Sequence, residues 1–240
     1  MKGYESSSYG EAFADVYDEW YADVSDVDAT VSLLRDLAGD GPFLELGVAA
    51  TGAHVTGIDS SPSMLERLRV KVGAVAASTP MAVETIHGHM VTDLPDRHFR
   101  GVVIAYNTIF SLGSAQLQRD LFTQVASRLE PMGVFVIEAA VPDARRPAGG
   151  TVSVKSLDVD RVVLSVDVHD PENQSVDGQF IEFTESSGVR LRPWSIRYCT
   201  PTELDAMAAA AGLHLGDRWE NVRRDPFDQD SPTHVSVYCR

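Results

Sequence analysis

Two acids and a glycine, Glu45, Gly47 and Asp59, stand at or beside the ends of two short apolar runs, Phe43–Val48 and His54–Ile58. A glycine at the carboxyl end of a buried strand lets the backbone approach a ligand, and an acid at the end of the next strand can accept both hydroxyls of a ribose. A helix opens directly after Asp59, where Ser61 can serve as N-cap and Pro62 takes the first helical position. Together these features make the nucleotide-binding half of a doubly wound α/β sheet. Other chemistries have weaker support. His87 and His89 lie two apart without a third metal ligand of suitable spacing, so no metal site is expected, and no Gly-x-Ser-x-Gly nucleophile elbow is present. Cys199 and Cys239 show no Cys-x-x-Cys or Cys/His ligand spacing and read as reduced residues in or beside strands.

The elements that must position these residues follow from hydrophobic period. From Phe43 onward, short apolar runs (Phe43–Val48, His54–Ile58, Val83–His87, Gly101–Tyr106 and Val134–Ala139) alternate with amphipathic helices such as Ser61–Val72 and Ser114–Leu129. That alternation predicts a parallel sheet buried on both faces. Ahead of it, Tyr9–Tyr21 carries Phe13, Tyr17 and Tyr21 on one helical face, and Asp28–Leu37 reads as a second helix. After Ala140 the character changes. Pro142–Gly150 reads as loop, and Thr151–Leu157, Arg161–Val168, Gln179–Thr184 and Val189–Tyr198 as β-branched-rich strands of an antiparallel insertion, with His169–Asp177 as a turn-like connection. Thr200-Pro201-Thr202-Glu203 is a capping box opening a helix that ends at Gly212, and Leu213–Glu220 with Thr233–Cys239 forms a closing pair. The expectation is one domain over 1–240, with a helical lid over 1–40 and the β insertion over 150–198.

Composition narrows the function. A formal net charge of −15 repels a nucleic-acid backbone or an anionic bilayer, and no basic run is dense enough to make a local patch, so neither is expected as a partner. No stretch approaches the roughly 18 uninterrupted apolar residues of a membrane span, and Met1–Gly10 lacks the basic-then-apolar pattern of a signal peptide, so a cytoplasmic protein is expected.

Five segments occur in the order found in the class I S-adenosylmethionine (SAM)-dependent methyltransferases. They are Phe43-Leu44-Glu45-Leu46-Gly47, Val55–Leu65 with Asp59 at its centre, Gly88-His89-Met90, Tyr106-Asn107-Thr108-Ile109-Phe110, and Leu129–Phe135. The chain resembles that family over most of its length. Tyr17-Asp18-Glu19-Trp20-Tyr21 and the late β insertion are similar to the branch that methylates small natural products, including amino-sugar and glycopeptide N-methyltransferases. The resemblance implies a doubly wound, mostly parallel seven-stranded sheet (the Rossmann-like methyltransferase fold) with an antiparallel insertion after the fifth strand. It also implies SAM as methyl donor and an amine or hydroxyl of a small molecule as acceptor. Carried over by position, Glu45 and Gly47 would lie under the methionine part of SAM and Asp59 would hold the ribose. Ser60 and Met64 would flank the adenine, His89 and Met90 would line its edge, and Asn107 would approach the methionine moiety. Tyr17 and Tyr21 would close over the cofactor. Arg197 and Tyr198 are weaker candidates for the acceptor, and the resemblance names no catalytic base. His169 could take a proton, but its position reads better as an exposed turn. The insertion is expected to form either part of the acceptor pocket or a contact with a second copy of the chain in a homodimer.

Two departures from the family stand out. Many relatives have an acid where His89 stands, able to accept from the adenine amino group, whereas a neutral imidazole can accept through one nitrogen only. The second is length. Six residues, Val48 to Ala53, separate Gly47 from His54, whereas a crossover between parallel neighbours needs about a dozen. Three readings follow: a glycine turn and helix of about ten residues left out of the sequence as written, a true deletion in a binding or regulatory protein that has lost SAM, or a locally rebuilt sheet. The close match on both flanks favours the first. An intact mass above 26.1 kDa is therefore expected for the natural protein, and an agreeing mass leaves only the other two readings.

Overall fold

A computed structural model describes residues 1–21, 26–47, 55–76 and 83–240. In chain order, α1 (Ser8–Phe13), α2 (Tyr17–Trp20) and α3 (Val27–Ala38) precede β1 (Phe43–Leu46) and β2 (Val55–Asp59). Then come α4 (Pro62–Ala76), β3 (Val83–His87), β4 (Phe99–Ile104), α5 (Ala115–Arg128) and β5 (Leu129–Ala140). Four strands follow, β6 (Gly149–Leu157), β7 (Arg161–Asp170), β8 (Ser175–Thr184) and β9 (Gly188–Arg197), and the chain closes with α6 (Pro201–Ala210), β10 (His214–Trp219) and β11 (Thr233–Cys239).

The main sheet has the order β10-β11-β5-β4-β1-β2-β3. Strands β1 to β5 run parallel, while β11 is antiparallel to both β5 and β10. Side chains alternate between its faces as strand period requires. Val102, Ile104, Phe135 and Ile137 join one core with Leu121, Phe122 and Val125 of α5 and Leu204 of α6. Val103, Val134 and Val136 join a second core with Leu33, Leu34 and Ala38 of α3. Of the 1–40 segment expected as a lid, α3 is therefore a sheet-face helix. Its start is set by Asp26, whose Oδ1 accepts from the Ala29 amide at 3.1 Å. At α6 the capping box forms as read, with Thr200 and Glu203 each accepting from the other's amide.

Strands β1 and β2 pair in parallel, Phe43 opposite Val55 and Leu46 opposite Ile58. The interval judged too short for a parallel crossover thus joins two strands that do pair in parallel. This register makes the return short, roughly 10 Å along the strand and about 5 Å across it. The eight residues from Gly47 to His54 have ample reach for that at up to about 3.3 Å each. Residues 48–54 themselves lie outside the described residues. No helix among the described residues is long and apolar enough to cross a membrane.

The insertion is a separate four-stranded antiparallel sheet, β6-β7-β8-β9. It departs from the sequence reading at one place. The turn expected over His169–Asp177 shrinks to the residues between β7 and β8, with Gln174 at φ 52°, and β8 begins at Ser175. Gly178 sits inside β8, where the Trp194 ring crosses it, an atom of the ring lying 2.2 Å from where a Cβ would stand.

The expected helix over Tyr9–Tyr21 breaks into α1 and α2, dividing its aromatic stripe. Phe13 is fully buried, stacked on Tyr9 and edge-on to Trp20 and Phe180, whereas Tyr17 and Tyr21 pack on each other with centroids 4.9 Å apart. Both short helices are held from two sides. Toward α4, Glu11 accepts from the Ser61 hydroxyl at 2.6 Å and the Ser63 amide at 3.1 Å, and Asp18 pairs with Arg67 and Lys71. Toward the insertion, the Arg192 guanidinium, 1% exposed, donates to Asp15 at 2.6 Å and to Glu182 at 2.8 Å, and reaches the Ala12 carbonyl. Replacing Arg192 with Met leaves Glu182 buried without this partner and releases α1 and α2 from the insertion. Amide hydrogen exchange over Ser8–Trp20 is expected to quicken at least tenfold, while exchange in β4 and β5 stays within twofold. Unchanged exchange in α1 would show that the guanidinium does not hold it.

Candidate active site

Where β1, β2 and β4 end, a cavity of about 590 Å³ opens above the sheet. Strand β1 lies between β2 and β4, so the connections leaving these strands diverge and leave a crevice at their carboxyl ends. The first half of the cavity is lined by Gly47, Ile58, Asp59, Ser60, Met64, His89 and Met90, with Tyr17 and Tyr21 over it. Every one of these except Ile58 is a residue singled out in the sequence. Glu45 does not line the cavity but lies under it in β1, 1% exposed. Burial pushes Tyr17 up to about 12, and the charges of Tyr21, Asp59, Tyr106 and Glu45 add to the rise.

Asp59 also has a local duty. Its Oδ1 accepts from the Ser61 amide at 2.7 Å, while Ser61 Oγ accepts from Met64 at 3.1 Å, so both residues cap α4. Glu11 shares that helix end and is held below the usual carboxylate range, first by the Ser61 hydroxyl and then by Ser63. His89 departs from expectation in its hydrogen bonding. Its Nδ1 accepts from the Val91 amide at 3.2 Å, so a neutral ring carries its proton on Nε2. The ring can therefore donate to an adenine ring nitrogen but cannot accept from the amino group.

Beyond β4 the backbone is strained. Tyr106 and Asn107 have φ of 52° and 63°, two consecutive left-handed residues that are not glycine. The conformation is secured by Asn107, whose amide donates to the Glu138 carbonyl at 3.2 Å and whose Oδ1 accepts from the Ala140 amide at 2.6 Å. Asn107 lines the cavity as read from the sequence, and its oxygen also pins β4 to β5. The following residue, Thr108, lies against Gly47. At φ 83°, Gly47 leaves room for Thr108, whose Cγ2 is 2.6 Å from where a Cβ would stand.

The second half of the cavity comes from the insertion: His169, Val176, Phe180, Trp194, Ile196 and Tyr198. His169, expected as an exposed turn residue, closes β7 at 4% exposure. Its Nδ1 lies 2.9 Å from the Pro147 carbonyl and its Nε2 lies 2.9 Å from the Tyr198 hydroxyl. Arg197 does not line the cavity. Adjacent strand residues face opposite ways, and its guanidinium is engaged by Gln118 and Gln174, with Glu203 at 4.0 Å, so the acceptor role expected for it is not supported by its position. Tyr9, Thr108, Phe180 and Trp194 were missed. For Tyr9 the signal was present, because it extends the four-residue spacing of Phe13, Tyr17 and Tyr21, and its hydroxyl donates to Tyr21 at 2.8 Å. Both cysteines are free, and burial pushes the Cys199 thiol up to about 12.

The described residues fit a nucleoside bearing a cationic sulfonium. Gly47 opens the backbone, Asp59 faces the crevice, and the tyrosine faces with the nearby acids suit positive charge. No protein-family model and no curated protein sequence matches the chain. Solved structures do. The CcbJ methyltransferase from Streptomyces caelestis is 36% identical over 98% of each chain, with a TM-score of 0.87. An S-adenosylmethionine-dependent methyltransferase from Clostridium acetobutylicum ATCC 824 matches at 12% identity over 96% of this chain and 98% of its own (TM-score 0.78). SAM-bound CalS10, an amino pentose methyltransferase from Micromonospora echinaspora involved in calicheamicin biosynthesis, matches at 20% identity over 100% and 99% (TM-score 0.62). The last two share the fold. The chain belongs to the SAM-dependent methyltransferases. It is an enzyme of methyl transfer with SAM as donor.

Gly47→Ala tests the close approach at the crevice. A left-handed φ and the Thr108 contact together are expected to cost about 1–3 kcal/mol, a drop of several degrees in Tm. Adding Thr108→Ser relieves the contact and not the backbone, so it should restore only part of the loss. A Gly47→Ala protein melting with the wild type would overturn this account.

Proposed function

We propose that this enzyme transfers the methyl group of SAM to an amine or hydroxyl of a small molecule, of the natural-product sugar or peptide class. The observation that carries the reading is the division of the cavity. One half presents the residues expected to hold SAM. The other is walled by the insertion with aromatic and aliphatic side chains and His169, and its one lysine or arginine among the described residues, Arg146, is paired with Asp167. A wall without free positive charge suits a compact acceptor and gives nothing to a phosphate backbone. The amino pentose acceptor named for CalS10 is in keeping with this class.

In this reading Asp59 holds the ribose, Ser60 and Met64 flank the adenine, and His89 with Met90 bounds its edge. Glu45 and Gly47 lie beneath the methionine part, Asn107 meets it from β4, and Tyr17 with Tyr21 covers it. SAM supplies a methyl group already activated on sulfur. The chain's own residues therefore act chiefly by alignment and by excluding water, and proximity can supply much of the rate.

Two measurements test this. Calorimetric titration with SAM and S-adenosylhomocysteine should show binding that Asp59→Ala weakens at least tenfold, and no binding at millimolar ligand would refute the assigned cofactor site. Transfer from methyl-labelled SAM onto a panel of amino sugars, other primary and secondary amines, and matched hydroxyl compounds should give labelled product. Label appearing only on nucleic acid or protein would refute the small-molecule class.

A further inference from the structure

We propose that Tyr198 accepts the proton of an amine acceptor and passes its own to His169, so that the enzyme can take up the abundant ammonium form. This rests on the small-molecule reading above, with an amine as the acceptor. An alkyl ammonium has no lone pair to attack a methyl group, and at neutral pH an amine of ordinary basicity is almost wholly in that form. A group in the second half of the cavity that removes the proton would change the rate law.

The hydrogen bonds around His169 assign each proton. A backbone carbonyl only accepts, so the contact with Pro147 at 2.9 Å requires a hydrogen on Nδ1. In the neutral ring Nε2 then bears a lone pair, and the 2.9 Å contact with Tyr198 has the phenol donating. Tyr198 reaches the cavity, and its oxygen keeps lone pairs while its hydrogen is held by the ring. The proton balance closes. The N–H bond of the ammonium breaks and its proton joins Tyr198 Oη as the phenolic proton moves to His169 Nε2. Tyrosine ends neutral and the imidazolium carries the single positive charge, with Nδ1–H still on Pro147. The proton leaves Nε2 to water after the product departs.

The surroundings allow that charge to form and to leave. Asp170, next in β7, has its carboxylate on Asn173. From the loop before β6, Asp143 pairs with Arg145, and Arg146 pairs with Asp167 of β7. From β9, Arg197 is held by Gln118 and Gln174. The cross-strand neighbours of His169 are Gly149 and Val176, neither of them charged.

Two readouts test the relay. The first needs no acceptor: ring-nitrogen NMR of the full-length protein with labelled histidine should show His169 protonated on Nδ1 and bare on Nε2. A neutral ring protonated on Nε2 overturns the proposal. The second is the pH profile of kcat/KM from pH 6 to 9.5, using the best amine from the labelled-methyl panel. The wild type should hold a plateau that begins well below the ionisation of the free amine. Tyr198→Phe and His169→Gln should instead climb about tenfold per pH unit toward the ionisation of the free amine, and fall about 100-fold at pH 7. Their Tm and affinity for S-adenosylhomocysteine should stay close to the wild type. Variant profiles that run parallel to the wild type overturn the relay and leave amine methylation standing. A panel that yields no methylated amine removes the acceptor itself, and the relay with it.

Discussion

A buried guanidinium ties together two stretches of chain that the parallel sheet alone would leave apart. Arg192 lies in β9, near the end of the insertion, and its partners are Asp15, between α1 and α2, and Glu182 in β8. At 1% exposure its permanent charge requires them, since an unpaired buried charge costs several kcal/mol. The pairing fixes where α1 and α2 sit. Because Glu11 of α1 also closes the N-terminus of α4, the N-terminal segment becomes a strap between the two halves of the cavity. Gly10 permits the close approach, for an atom of Ser61 lies 2.4 Å from where its Cβ would be.

The second constraint is topological. With β1 between β2 and β4, the backbone must turn sharply at the end of β4 to leave the crevice open, and it does so through two left-handed residues. Each such residue costs on the order of 1–3 kcal/mol. Asn107 offsets this with its bond to Ala140, and the turn delivers Thr108 against Gly47 and Phe110 to the cavity wall. Strain, a glycine and a side-chain amide thus act together at the point where the methionine part of SAM is assigned.

The parts of the site that could be read in the sequence are those controlled by local rules. Strand ends are marked by the last apolar residue of a run, so Gly47, Asp59 and Asn107 could be placed from pattern. The α4 start is marked by Ser61-Pro62, which brought Ser60 and Met64 with it. Arg197 and His169 show where this stops. In the insertion, which side of the sheet a residue takes depends on register, and the turn between β7 and β8, shorter than the expected His169–Asp177, changes what lies on the cavity side. At Gly178 a tryptophan ring from the next strand occupies the space a side chain would take, a contact that no local pattern announces.

By itself, then, the order of apolar runs, caps and acids determined the doubly wound sheet, the family and most of the residues that line the first half of the cavity, because those follow from contacts between residues near in sequence and from strand period. Only the tertiary structure decided which insertion residues line the second half. The Arg192 pairing, the bond from Tyr198 to His169 and the seat of Thr108 on Gly47 join residues 29 to 177 positions apart. Their energy depends on burial and on partners that no local pattern encodes. The short interval after Gly47 shows the same division: its length is plain in the sequence, yet whether the strands it joins lie parallel was settled by the register of β1 against β2.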